Sequence, residues 1–261
     1  MSLSGRVALV TGSTRGIGLG IAEALAAAGA DIVMGGQGDP AEIEQARAGL
    51  AARRGVRVLF DGADMREPEA VAGMVARAER EFGAVDILVN NAGIQTTAPI
   101  EAFPPERWDA IIAINLSAVF HAIRAAIPGM RTRGWGRIIN IASAHGLVAS
   151  AQKVAYVAAK HGVLGVTKVA AIELAGAGVT VNAICPGWVR TPLVEAQLAE
   201  RAERHGQPVE HVEHGFLAEK QPLIAFTTPE QIGALAAFLC SDAAATMTGG
   251  AIPIDGGWTA W

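Results

Sequence analysis

Two cysteines, Cys185 and Cys240, are all that this 261-residue sequence contains. They are too few for a disulfide framework, and both sit in apolar runs where a free buried thiol is common, so a reducing cytoplasm is the expected setting. Charge is also scarce, at 18% of residues with a formal net charge of −4, which offers no basic surface for nucleic acid. No run of consecutive apolar residues reaches the roughly eighteen that suggest a membrane span. Nor does the passage from Met1 into Val7–Val10 carry the basic lead and cleavage site of an export signal.

What is plentiful is apolar and glycine content, 51% and 31 residues. A chain of this length and composition suits one α/β domain of residues 1–261 that buries a large core unaided. Short β-branched runs at 6–11, 31–34, 57–60, 86–90, 137–141, 179–184 and 251–254 alternate with alanine-rich helical stretches, the rhythm of a parallel sheet. Consecutive apolar positions such as Ile87-Leu88-Val89 must be covered on both faces. The expectation is therefore a doubly wound, seven-stranded Rossmann fold. Residues 191–228 break the rhythm. Rich in Glu, Arg and His, with Gly206 and Gly215 as hinges, they are expected to form a helical lid over the strands' carboxyl ends.

Between the first strand and first helix lies Gly12-Ser13-Thr14-Arg15-Gly16-Ile17-Gly18. Glycines there let backbone approach a phosphate, and the following helix presents free N–H groups to it. The acidic residue usual after the second strand is missing, with Gly35-Gly36-Gln37 in its place and Asp39 a little late. Arg15 would attract a 2′-phosphate, whereas positions 35–40 hold no basic residue, so NAD and NADP both remain open, NAD favoured. Asp64 would cap the adenine amino group.

The one tyrosine, Tyr156, stands four residues before Lys160 in the helical run 154–174, so both occupy one face. A phenol with a pKa near about 10 is a poor base unless a fixed cation supports its phenolate, and Lys160 supplies one. Ser143, just past a strand end, would point into the ligand crevice. Gln95, His145 and Lys153 lie a few residues from these landmarks and would together hold a carboxylate. Trp188 and Trp258 would wall a short chain.

The glycine loop, Asn90-Asn91-Ala92-Gly93, Ser143, the Tyr156/Lys160 pair, Pro186-Gly187 and Asp255-Gly256-Gly257 together resemble the classical short-chain dehydrogenase/reductase family over essentially the whole chain. The resemblance implies a tetrad of Asn115, Ser143, Tyr156 and Lys160, with Tyr156 as base, Ser143 on the substrate oxygen and Asn115 holding a proton-relaying water. It implies a cofactor held by Gly12, Thr14, Arg15, Gly16, Ile17 and Gly18, by Asp64 and Met65, by Asn91, Ala92 and Gly93, and by Pro186, Gly187, Val189 and Thr191, besides Tyr156 and Lys160. The strings 142–150, 184–194 and 255–260 are similar to family members that oxidise short hydroxy acids. That implies NAD and a small hydroxy acid, with Gln197 closing over the carboxylate from the lid. It also implies a homotetramer, with helices beginning near Pro105 and Lys153 pairing between subunits and Trp261 near an interface. A thioester reductase, a sugar alcohol dehydrogenase and a nucleotide sensor are the competing functions. A metal site among His205, Glu210, His211, Glu213 and His214 is not expected, because a charged lid helix yields such spacing readily.

Overall fold

The computed structural model describes residues 2–260, so Trp261 lies outside the described residues. In chain order the elements are β1 Val7–Val10, α1 Gly16–Ala27, β2 Asp31–Gly35, α2 Pro40–Arg54, β3 Val58–Asp61, α3 Pro68–Phe82, β4 Ile87–Asn90, α4 Pro105–Ile112, α5 Ala118–Arg133, β5 Gly136–Ile141, α6 Val154–Leu174, β6 Val179–Pro186, α7 Pro192–His205, α8 Val209–Ala218, α9 Pro229–Leu239 and β7 Ala251–Ile254. The seven strands form one sheet in the order β3-β2-β1-β4-β5-β6-β7. Every pairing is parallel, with Leu9 facing Val33 on one side and Leu88 on the other. All seven expected strands are present, and the order reverses between β1 and β4, where such sheets open a ligand crevice.

Period-two alternation divides each strand between two cores. Val7, Leu9, Leu88 and Ile138 pack with α3, α5 and α6 through Met74, Ala122 and Val163. Ala8, Val10, Ile87, Val89 and Ile139 pack on the opposite face with α1, α2 and α9 through Ile21, Leu50 and Ile232. Leu9 and Leu88 are fully buried, and truncating either to Ala would cost about 2–5 kcal/mol. The helices α1 and α9 cross closely. A Cβ on Gly20 would lie 2.6 Å from the Pro229 carbonyl oxygen, and one on Gly233 would lie 2.5 Å from that of Gly20.

Between α4 and α5 the chain forms a π-helical turn, Ala113–Ser117, without leaving the helix. The continuous helix Pro105–Arg133 has a mean hydropathy of 1.8 over its most apolar stretch, long and apolar enough by length and composition alone to cross a membrane, although Asn115, Ser117, His121 and Arg124 interrupt its apolar run. Its charged residues lie toward the two ends, Glu106, Arg107 and Asp109 at one and Arg124, Arg131 and Arg133 at the other, and Val119, Ala122, Ile123 and Ala126 pack in the core. Helices α7 and α8 close over a small apolar cluster of their own, Val194, Leu198, Ala202, Val212 and Phe216, with Trp188 and Phe226 against it. Thr191 caps α7 by accepting from Val194 N, and Thr228 and Gln231 form a capping box on α9.

Candidate active site

The turn after β1 is built against the turn after β4. Gly12 takes φ +62°, and Asn91 Nδ2 donates to the carbonyls of Thr11 and Gly12, both at 2.9 Å. The amides of Asn91 and Ala92 donate to Thr11 Oγ1 at 2.9 and 3.0 Å. A Cβ on Gly18 would collide with the Gly12 carbonyl and lie 2.5 Å from Asn91 Nδ2. Arg15, at the N-cap of α1, makes no side-chain cap bond. The first amides of α1 therefore receive no hydrogen bond from the N-cap side chain, which suits an anion. Thr191 stands above Gly16, its Cγ2 3.6 Å from where a Cβ would be, so the start of α7 meets the glycine loop. Pro186 ends β6, and Val189 bridges to Thr227.

At the adenosine end, Thr14 Cγ2 stands 2.9 Å from where a Cβ on Gly36 would lie, so Thr14 occupies part of the space an acidic side chain at position 36 would need. Asp39 is engaged elsewhere, capping α2 by accepting from the amides of Ala41 and Glu42 at 2.9 and 3.1 Å. Asp64 is paired with Arg66, whose side chain and backbone amide hold its carboxyl down at about 2. Met65 is partly buried against the core.

Tyr156 and Lys160 lie one turn apart on α6, with Lys160 Nζ 5.6 Å from the phenol ring centroid. Lys160 is buried and donates to the Ile141 carbonyl at 2.6 Å. Burial lowers its pKa to about 8. Burial raises the Tyr156 phenol, and a hydrogen bond with Ser143 pulls it the other way. Ser143, two residues beyond β5, accepts from the His145 amide at 3.1 Å. Asn115 sits fully buried in the π-helical turn, its Oδ1 accepting from Ile94 N and its Nδ2 donating to Ile94 O, both at 2.9 Å. The amide thus fastens the helix to the strand-to-helix loop after β4, beside Gly93, where a Cβ would lie 3.5 Å from Asn115 Oδ1.

Next to Tyr156 the chain assembles an aromatic and cationic corner. The His145 ring lies 5.9 Å from Tyr156 and 5.0 Å from Trp258, and Trp188 lies 5.7 Å from Trp258 and 4.2 Å from Phe216, centroid to centroid. Lys153 Nζ is 5.3 Å from the Trp188 ring. Gln152, in the left-handed region at φ 65°, precedes it and is held by the Ala98 amide, which donates to its carbonyl at 3.0 Å. His145 Nε2 lies 3.0 Å from Ser150 Oγ. Burial first, then the nearby charges of Lys153, Lys220 and His161, lower His145 to about 4. Lys153 is lowered by burial and by Lys220.

The structure therefore brings Ser143, His145, Lys153, Tyr156, Trp188 and Trp258 together. Gln95 and Gln197 are exposed, on the loop after β4 and on α7. Lys220 and Gln221 were not anticipated. Lys220 Nζ lies 6.0 Å from the Trp258 ring, and buried Gln221 accepts from Trp188 N at 2.9 Å. Both lie just past α8, in a segment whose mixed charge reads as solvated, and no residue spacing links them to Trp188. In the lid, Glu213 pairs with Arg190 at 2.8 Å. Among the described residues no three His, Cys, Asp or Glu side chains converge as a metal site.

Over residues 12–259 the chain matches a family model described as enoyl-(acyl carrier protein) reductase. It is 58% identical over 260 residues to the D-beta-hydroxybutyrate dehydrogenase of Cupriavidus necator, covering 99% of both chains. It is 54% identical over 255 residues to the D-beta-hydroxybutyrate dehydrogenase of Rhizobium meliloti, covering 98% of this chain and 99% of that one. Among solved structures, L-sorbose reductase from Gluconobacter frateurii, complexed with NADPH and L-sorbose, superposes with a TM-score of 0.95 at 34% identity, covering 99% of this chain and 98% of that one.

Proposed function

The chain belongs to the short-chain dehydrogenase/reductase family, and from that premise we propose that it reversibly oxidises (R)-3-hydroxybutyrate to acetoacetate with NAD. It is an oxidoreductase that works with a nicotinamide nucleotide. The observation that carries the substrate is the corner of Lys153, His145, Trp188 and Trp258 beside Tyr156. A half-buried ammonium, an imidazole and two indoles are suited to one small carboxylate with a short apolar chain.

The cradle fits a dinucleotide, because a Cβ at Gly18 would collide with its own loop while the first turn of α1 carries no side-chain cap. Gly12, Thr14, Arg15, Gly16, Ile17 and Gly18 would hold the pyrophosphate, with Asn91, Ala92, Gly93, Pro186, Gly187, Val189 and Thr191 toward the nicotinamide. Asp64 and Met65 would lie at the adenine, which requires Asp64 to share its carboxylate with Arg66. NAD is favoured over NADP by the absence of any basic residue at 35–40, against the single exposed guanidinium of Arg15. Held by these residues, the nucleotide would supply a nicotinamide ring as the hydride acceptor for the carbinol carbon.

The protein's own residues handle the proton and the substrate's position. Tyr156 takes the hydroxyl proton as phenolate, and the Lys160 ammonium beside its ring offsets the rise that burial imposes on the phenol. Ser143 donates to the substrate oxygen. Asn115 holds the loop after β4 against the helix and lies on the outward proton path. The carboxylate is taken by Lys153 and His145, with Gln95 and Gln197 joining as 191–228 closes. A neutral His145 serves as a hydrogen-bond donor, leaving the charge to lysine. Phe120, Val169 and Ile172 expose apolar surface on α5 and α6, which supports pairing of these helices in a homotetramer, and the free buried thiols of Cys185 and Cys240 support a cytoplasmic setting.

The test is reduced-nicotinamide absorbance with NAD and NADP against (R)- and (S)-3-hydroxybutyrate and the methyl ester of the former. Turnover with NAD and the free (R)-acid, far above every other combination, is expected. Equal turnover of acid and ester would sink the carboxylate assignment and direct attention to a thioester or sugar alcohol.

A further inference from the structure

The substrate end holds more positive charge than a single lysine accounts for. Lys153 stands over Trp188 at 5.3 Å and Lys220 over Trp258 at 6.0 Å, while the two indoles lie 5.7 Å apart. Among the described residues neither lysine has a carboxylate within 4.0 Å. Glu219, adjacent to Lys220 in the chain, pairs with Arg201 at 2.6 Å instead, and Glu213 is taken by Arg190. Lys220 is not loosely placed. Its amide donates to the Leu217 carbonyl at 3.0 Å. The next residue, Gln221, is buried between the Trp188 amide, from which it accepts at 2.9 Å, and the Ala225 carbonyl, to which it donates at 3.0 Å.

Two ammonium groups facing adjacent indoles without a counter-ion repel one another, and burial makes the charge on Lys153 costlier still. An anion bound between them removes both penalties. We propose that Lys220 is a specificity-determining residue, supplying the second ammonium of the substrate-carboxylate site over Trp258 as Lys153 supplies the first over Trp188, and so setting the preference for a free acid over its neutral ester. This rests on the proposal that Lys153 and His145 face the substrate carboxylate. Lys220 follows α8, so carboxylate binding draws on the C-terminal stem of the lid as well as on the start of α6. His145, kept neutral by burial and by the two lysines, orients the carboxylate without adding charge.

Steady-state kinetics of the wild type, Lys220→Met, Lys220→Arg and Lys153→Met, with (R)-3-hydroxybutyrate and its methyl ester at saturating NAD, test the assignment. Met keeps an unbranched stem over Trp258 while removing the charge. One ammonium about 6 Å from a carboxylate in a partly hydrated site is worth about tenfold in affinity. Lys220→Met should therefore raise KM for the acid about tenfold with kcat within about twofold, and change kcat/KM for the ester less than about twofold. Lys220→Arg should recover the acid KM to within about threefold. Equal losses on acid and ester would reduce Lys220 to a prop for Trp258 and overturn the proposal, as would an unchanged acid KM in Lys220→Met. If Lys153→Met alone loses the preference for the acid, only the role of Lys220 falls. If the wild type itself treats acid and ester alike, the carboxylate site falls and this proposal with it.

Discussion

Replacing Lys160 with Met should change turnover and stability in opposite directions. Lys160 is 4% exposed, and burial brings its pKa from 10.5 to about 8. That gap corresponds to roughly 3 kcal/mol by which the protonated side chain opposes folding at neutral pH. The hydrogen bond to the Ile141 carbonyl returns about 1.5–3 kcal/mol, so the nucleotide-free Met variant is expected to match the parent at pH 7 or exceed it by up to about 2 kcal/mol. The pH dependence has a definite sign. Because the folded pKa lies below the unfolded one, the unfolded chain binds more protons between about pH 8 and 10.5, and parental stability rises across that window. Between pH 7 and 9.5 the parent should gain about 2 kcal/mol on the variant, since all other titrations cancel in the difference. Urea unfolding of both proteins at pH 7, 8.5 and 9.5 measures this directly. A variant clearly less stable than the parent at pH 7, or a difference that stays constant with pH, would refute the buried-cation account. Turnover, meanwhile, should drop by about 10²–10⁴, the range for loss of a positioned acid–base system.

Tyr156→Phe should lose turnover to a similar degree, about 10²–10⁴, while nucleotide still quenches tryptophan fluorescence; an active Phe variant would remove Tyr156 from the chemistry. Gly18→Ala places a methyl group against the Gly12 carbonyl, and calorimetry should show nucleotide affinity lowered by more than about tenfold, through overpacking worth about 1–3 kcal/mol. His145 has a folded pKa of about 4, below its ordinary 6.5, so stability should be lost as pH falls from 6.5 toward 4. His145→Asn should lose less over that interval, and identical acid limbs in urea unfolding would contradict the burial of the imidazole. Gly20→Ala should cost about 1–3 kcal/mol at the α1–α9 crossing, read as a lower Tm both with and without nucleotide.

The strands were legible because a parallel sheet covered on both faces leaves continuous apolar runs, and Ile87-Leu88-Val89 cannot be satisfied on one side alone. The shared face of Tyr156 and Lys160 followed from a four-residue spacing on a helix whose ends, Val154 and Leu174, were readable in advance. Other features depend on tertiary contact and leave no local trace. The π-helical turn that inserts Asn115 toward Ile94 has the same apolar pattern as the helix on either side. Lys220 meets Trp258, and Gln221 meets Trp188, across 38 and 33 residues of chain respectively. The pairing of Asp64 with Arg66 leaves no trace either, because two residues' separation in a loop signals nothing until the backbone bends.

The close crossing of α1 and α9 joins the first helix of the chain to the last, Gly20 against Pro229 and Gly233 against Gly20. During synthesis the β1–α1 unit with its glycine loop emerges early, yet the helix that covers Ile21 and Leu25 is complete only when Leu239 has left the ribosome. Until then the part of that face that α9 covers stays open beside α1, with the aggregation hazard that exposed apolar surface carries. Closure of the whole fold is therefore a late, long-range event that depends on the final quarter of the chain. Truncation there would release a protein whose nucleotide loop keeps its bonds to the turn after β4 but whose first helix lacks the cover of α9.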